Sequence, residues 1–219
     1  MNFMDRTALG NTLAHRLQQL RGKDAVIICL QESSLLTCLT MAAQLRAWIY
    51  PLVYVPAYTS DSSHQLLGAF DQEDEFCPLP DGPADKAEVP AEIAAAIEEQ
   101  KPAALDLLRD QKAKYGITFD QHRLDGRHVI IAGDIVTSIL PLVMAQRLLG
   151  NVHPRTLTAV AGNATPETAQ LIRISAGHVE VLDVLNSIVF DDDHYFEHTD
   201  EYTTDQKYTL TQHIAAYWQ

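Results

Sequence analysis

Gly133, Asp134, Thr137 and Ser138 are the residues whose types and spacing suit chemistry best in this chain of 219 residues. They belong to the stretch VIIAGDIVTSIL, Val129 to Leu140, which reads as a buried strand, a tight small-residue turn and a helix start. Such a turn is an anion site, because loop and first-turn N–H groups point outward unpaired. Thr137 and Ser138 would add hydroxyl donors. Asp134 can hold a sugar hydroxyl, or a Mg²⁺ that keeps most of its water. The same residues also make a plain strand-to-helix turn, with a hydroxyl as cap and the aspartate steadying the turn.

A second constellation lies in DDDHYFEH, Asp191 to His198, where His194 and His198 stand four apart. On a helix they would share a face and offer weak candidate zinc ligands, although the HExxH order is absent. The simpler expectation is a solvated cap with no metal. Cys29, Cys38 and Cys77 have no metal spacing and read as small core residues. The acidic run Asp71 to Glu75 reads as a solvated loop.

The elements that must position these groups alternate. Helices are expected from Asp5 to Leu20, Ser34 to Trp48, Ala91 to Tyr115 with a break or kink at Pro102, Pro141 to Leu149 and Thr165 to Ser175. Strands are expected at Ala25 to Leu30, Ile49 to Val55, Arg127 to Gly133, Thr156 to Ala161 and His178 to Leu185. Asp5 and either Ser33 or Ser34 are placed to cap the first two helices. This rhythm predicts an α/β fold, a mainly parallel sheet of about five strands flanked by helices. Residues 56–90, polar and proline-rich, are expected as a mobile excursion, and 186–219 as a small C-terminal cap or tail.

Sixteen basic and 29 acidic side chains give a net charge of −13, which argues against nucleic acid and anionic membranes as partners. No apolar run is long enough for a membrane helix and the first residues carry no signal core, so a cytoplasmic location is expected. Ile135, Val136, Ile139 and Leu140, if left exposed, would call for a covering partner.

Val129 to Leu140 resembles the phosphoribosyl diphosphate loop of type I phosphoribosyltransferases, usually close to VILVDDGLATGAT. Laid on it, the paired acids fall on Ala132 and Gly133, the next glycine on Asp134, and the final Gly and Thr on Ser138 and Leu140. The opening FMDRTALGNTLAHRLQQLRGKDAVIICL, the segment HQLLGAF, the helix IEEQKPAALDLLRDQKAKY and the tail EYTTDQ are similar to a bacterial group of predicted phosphoribosyltransferases. In that group the first strand ends in a Pro-Arg-Gly-Gly diphosphate turn, matched here by Gln31, Glu32, Ser33 and Ser34. The family's later basic pair is matched by Pro56 and Ala57.

The resemblance implies a single phosphoribosyltransferase-like domain over residues 1–219. It also implies degenerate chemistry, since an acid at Glu32 repels diphosphate. The expected function is a regulatory or structural subunit without transferase activity, binding at most a small phosphorylated ligand. A homodimer, or a complex with a related protein, is expected. The alternative is an active enzyme of unusual motif, transferring phosphoribosyl to a nitrogen base with Mg²⁺. No other cofactor is implied.

Overall fold

A computed structural model describes residues 3–116, 120–185, 192–198 and 202–217. The chain divides into two compact units, Met1–Leu52 with Asp120–Gln219, and Val53–Phe119.

The larger unit is built on five parallel strands: β1 (Ala25–Cys29), β2 (Trp48–Pro51), β6 (His128–Val136), β7 (Thr156–Ala164) and β8 (His178–Val184). Their order across the sheet is β2-β1-β6-β7-β8. All five residues of β1 are buried, as expected for a central parallel strand whose two faces are covered. The sheet is flanked by α1 (Arg6–Arg16), α2 (Leu35–Leu45), α4 (Leu140–Leu149), α5 (Pro166–Ser175) and α6 (Thr204–Tyr217). Asp5 caps α1 as expected, by accepting the Ala8 N–H at 2.6 Å, and Thr165 caps α5 through the Thr168 N–H. The helix after β1 ends at Leu45, with Arg46 left-handed at φ 55°, so Trp48 starts a strand instead of closing the helix. Gly10 lets α1 and α2 touch, because a Cβ there would sit 2.7 Å from both the Thr37 carbonyl and Thr40 Cβ.

The smaller unit corrects the expectation for residues 56–90. They carry the strands β3 (Tyr54–Tyr58), β4 (Leu66–Asp71) and β5 (Phe76–Pro78), an antiparallel sheet in that order, with α3 (Ala91–Tyr115) packed on β3 and β4. The prolines misled because Pro56 and Pro78 lie on the two edge strands, where a missing N–H breaks no inner ladder. Leu67, Ala84 and Ala96 form its core, with Phe76, Ile93 and Ile97 against them. The acidic run is a hairpin turn and not a free loop. Asp71 is buried and accepts the N–H groups of Glu73 and Glu75, while Lys112 reaches the Gln72 carbonyl at 2.6 Å.

Gly10→Val should lower unfolding stability by about 3 kcal/mol in urea denaturation, since the added methyls must push α1 and α2 away from each other. The exposed Thr12→Ala on the same helix should change it by less than about 0.5 kcal/mol.

Candidate functional site

In an open parallel sheet, ligands bind beyond the carboxyl ends of the strands, where the winding reverses. Here the reversal lies between β1 and β6, which are neighbours in the sheet. Two loops leave that point. Residues Leu30 to Ser34 join β1 to α2, and Thr137 to Ile139 join β6 to α4.

β6 runs three residues beyond its expected end at Gly133. Gly133 and Asp134 are therefore buried strand residues, not a turn. The cause is a set of partners far away in sequence. Arg6 Nε donates to Asp134 Oδ2 at 2.8 Å, with side-chain exposures of 6% and 0%. The Ser34 hydroxyl donates to Asp134 Oδ1 and accepts the Asp134 N–H at 3.0 Å. The Ile135 N–H adds a third donor to the carboxylate at 2.8 Å. A carboxylate without water needs this complement, because an unpaired buried charge costs several kcal/mol. Ser34 therefore precedes α2 without capping it through its side chain.

The residual loop is short. Thr137, Ser138 and Ile139 are half-buried, and the Ser138 hydroxyl accepts the Leu140 N–H at 3.2 Å, which serves the start of α4. Ile135, Val136 and Leu140 are buried within the chain and Ile139 is half-buried, so most of this apolar stretch is core.

At the diphosphate-turn position, Gln31 and Ser33 are half-buried and Glu32 is exposed. The Gln31 side-chain oxygen is out of water with no donor among the described residues. Glu32 is held by the Tyr208 hydroxyl, which donates to Oε1 at 2.8 Å. Burial of Tyr208 and this carboxylate push its phenol well above its ordinary pKa. Cys29 and Cys38 are buried free thiols nearby, and burial also raises the Cys38 thiol.

The C-terminal region adds a contact that periodicity could not reveal. Phe3 and Phe196 form a parallel bridge, and the Arg6 guanidinium lies 4.4 Å from the Phe196 ring centroid. That bridge ends the 3-10 turn Asp192–Tyr195 and separates His194 from His198, so the two histidines share no helical face. Both are exposed, and no group of three metal-ligating side chains occurs among the described residues. Asp191 of the same run lies outside the described residues. Pro56 and Ala57, matched to the family's basic pair, are strand residues of the smaller unit.

No protein-family model and no curated protein matches the chain. Among solved structures, TT1426 from Thermus thermophilus aligns with a TM-score of 0.72 at 19% identity, covering 98% of this chain and 100% of that one. The chain has the fold of TT1426. The fold expected from the sequence, an α/β domain with a mainly parallel sheet of about five strands flanked by helices, is the one present. A hypoxanthine-guanine phosphoribosyltransferase from Bacillus anthracis aligns at TM-score 0.44 and 13% identity, over 89% of this chain and 88% of that one. A hypoxanthine phosphoribosyltransferase from Trypanosoma cruzi, solved with IMP, aligns at 0.42 and 15%, over 89% and 85%.

Arg6→Ala and Asp134→Ala should each cost about 3–5 kcal/mol, since either removes one half of a buried ion pair. The double variant should cost less than their sum, measured as a double-mutant cycle in chemical denaturation.

Proposed function

We propose that this chain is a phosphoribosyltransferase-like protein without transferase activity, serving as a regulatory or structural subunit. One observation carries the reading. Asp134, the acid at the carboxyl end of β6, has no exposure, and both its oxygens are taken by Arg6, Ser34 and the Ile135 N–H. With the loop pattern's opening Val set on Val129, its second acid falls on Asp134 and its first on Gly133, one residue on from the register that puts them on Ala132 and Gly133. One acid of the pair is then kept, but it is spent on the fold. A sugar hydroxyl or Mg²⁺ would have to break a buried ion pair to reach it.

Supporting features lie in the neighbouring loop. Glu32 places a carboxylate where diphosphate would bind, and its contact with Tyr208 holds it there. Transfer depends on neutralising the diphosphate as it leaves, and an acid in that turn acts against this. The ligand class that suits the position is a small phosphorylated molecule, received at the α4 N-terminus near Thr137 and Ser138. Mg²⁺ enters only if the chain is an active transferase. The three cysteines are free thiols, which suits a reducing cytoplasm. Among the described residues no helix is long and apolar enough to cross a membrane.

Calorimetric titration with phosphoribosyl diphosphate, with and without Mg²⁺, tests the reading. The expected result is no binding heat at sub-millimolar ligand. A dissociation constant near about 1–10 μM that requires Mg²⁺ would reverse it in favour of an active enzyme.

A further inference from the structure

The two edges of the five-stranded sheet differ. At one edge all four residues of β2 are buried, α6 packs against the strand, and the Arg123 guanidinium sits 4.8 Å from the Trp48 ring centroid. At the other edge, among the described residues, β8 pairs only with β7, and its seven residues HVEVLDV are all exposed or half-exposed. Ile174, on the helix packed against β7 and β8, is 76% exposed. β8 carries no proline or lysine, and its register with β7 holds one constant offset without a bulge. Sheets usually blunt an exposed edge with such devices.

We propose that β8 is the surface on which a second copy of this chain adds, its own β8 antiparallel to the first, so that two sheets continue as one. The proposal rests on the preceding reading only in treating the chain as a subunit, and it names the contact.

The backbone sets what the edge offers. The Gly177 N–H donates to the Leu157 carbonyl at 3.0 Å and the Leu185 N–H to the Ala164 carbonyl at 2.8 Å. Odd-numbered residues therefore turn their backbone groups toward β7. The even-numbered His178, Glu180, Leu182 and Val184 turn theirs outward, because N–H and C=O of one strand residue point to the same side. A two-fold axis perpendicular to the sheet pairs residues whose numbers sum to an even value, and three registers keep most of the strand.

An axis through Glu180 sets two glutamates face to face, which is unfavourable. An axis through Leu182 shortens the ladder, because His178 and Val179 would then face positions past the end of β8. An axis through Val181 uses all seven residues. It sets Glu180 opposite the partner's Leu182, Asp183 opposite the partner's Val179, and Val181 opposite the partner's Val181. No like charges then stand opposite each other, and the four outward residues form four hydrogen-bonded pairs. His178 Nε2 lies 3.5 Å from Glu180 Oε1 within the same strand. A register that uses the whole strand and sets each acid opposite an apolar side chain points to a second copy as the occupant.

Light scattering after size exclusion, with no ligand present, tests it. The expected mass at micromolar concentration is twice the 24.4 kDa chain. Leu182→Glu, which brings an acid opposite the partner's Glu180, should weaken association about tenfold or more. Leu182→Lys should preserve or strengthen it, with both variants keeping the parent's circular dichroism and similar melting temperatures. A monomeric parent at about 100 μM overturns the proposal. So does a dimer that Glu and Lys at position 182 affect equally. Because the measurement involves no ligand, its failure leaves the inactive reading standing, and tight phosphoribosyl diphosphate binding leaves this pairing standing.

Discussion

A carboxylate with no access to water must find donors inside the protein, and the larger unit is arranged around how Asp134 does so. Its oxygens take an N–H from Arg6 at the start of α1, a hydroxyl from Ser34 at the entrance to α2, and the next backbone N–H of its own strand. Three elements that are distant in sequence are thereby fixed to one atom group. The Arg6 charge is in turn covered by the Phe196 ring, and the C-terminal segment is pinned by its bridge to Phe3. A buried pair of this kind stabilises little compared with well-packed apolar residues, but breaking one half is costly. Its effect is to specify position: α1, β6 and the β1–α2 loop have one way to satisfy it.

That pin explains which features of the sequence were legible. The helices Ala91–Tyr115, which continues past the break expected at Pro102, and Pro166–Ser175, the cap Asp5 and the five parallel strands follow from local periodicity and capping. The end of β6 did not. Gly-Asp after an apolar run is ordinary turn chemistry. Pairing with β7 turns it into strand, and a partner 128 residues away takes up its side chain. Similarly, Pro56 and Pro78 read as loop markers, yet on edge strands the missing N–H costs nothing inside the ladder. In both places the local rule was sound and a long-range pairing overrode it.

The apolar residues after Asp134 teach the same lesson from the other side. A run such as Ile135-Val136 with Ile139-Leu140 is hazardous if it lies in a ligand loop, and this suggested an interface. Once Asp134 is drawn into the strand, Ile135 and Val136 follow it into the core, and Leu140 closes the first turn of α4 from within. Among the described residues, the exposed large apolar side chains of this unit lie elsewhere, at Met4, Ile174 and Tyr202, and those of β8 are half-exposed.

A fold keeps its architecture while its site changes because the two depend on different atoms. The parallel ladder between β1 and β6 needs only buried apolar side chains and backbone groups, and those survive from Ala25–His128 to Cys29–Ala132. Just beyond the last pair, where a ligand would take over as hydrogen-bond partner, the chain supplies its own: Ser34 for the Asp134 N–H, Arg6 for the carboxylate, Tyr208 for Glu32. Each internal partner is held in place by folding. An incoming phosphate would therefore compete with the Asp134 and Glu32 carboxylates for donors whose ordering cost has already been met. Substituting side chains in the loop leaves that competition in place, because the groups that fill the switch point come from α1, the entrance to α2 and α6.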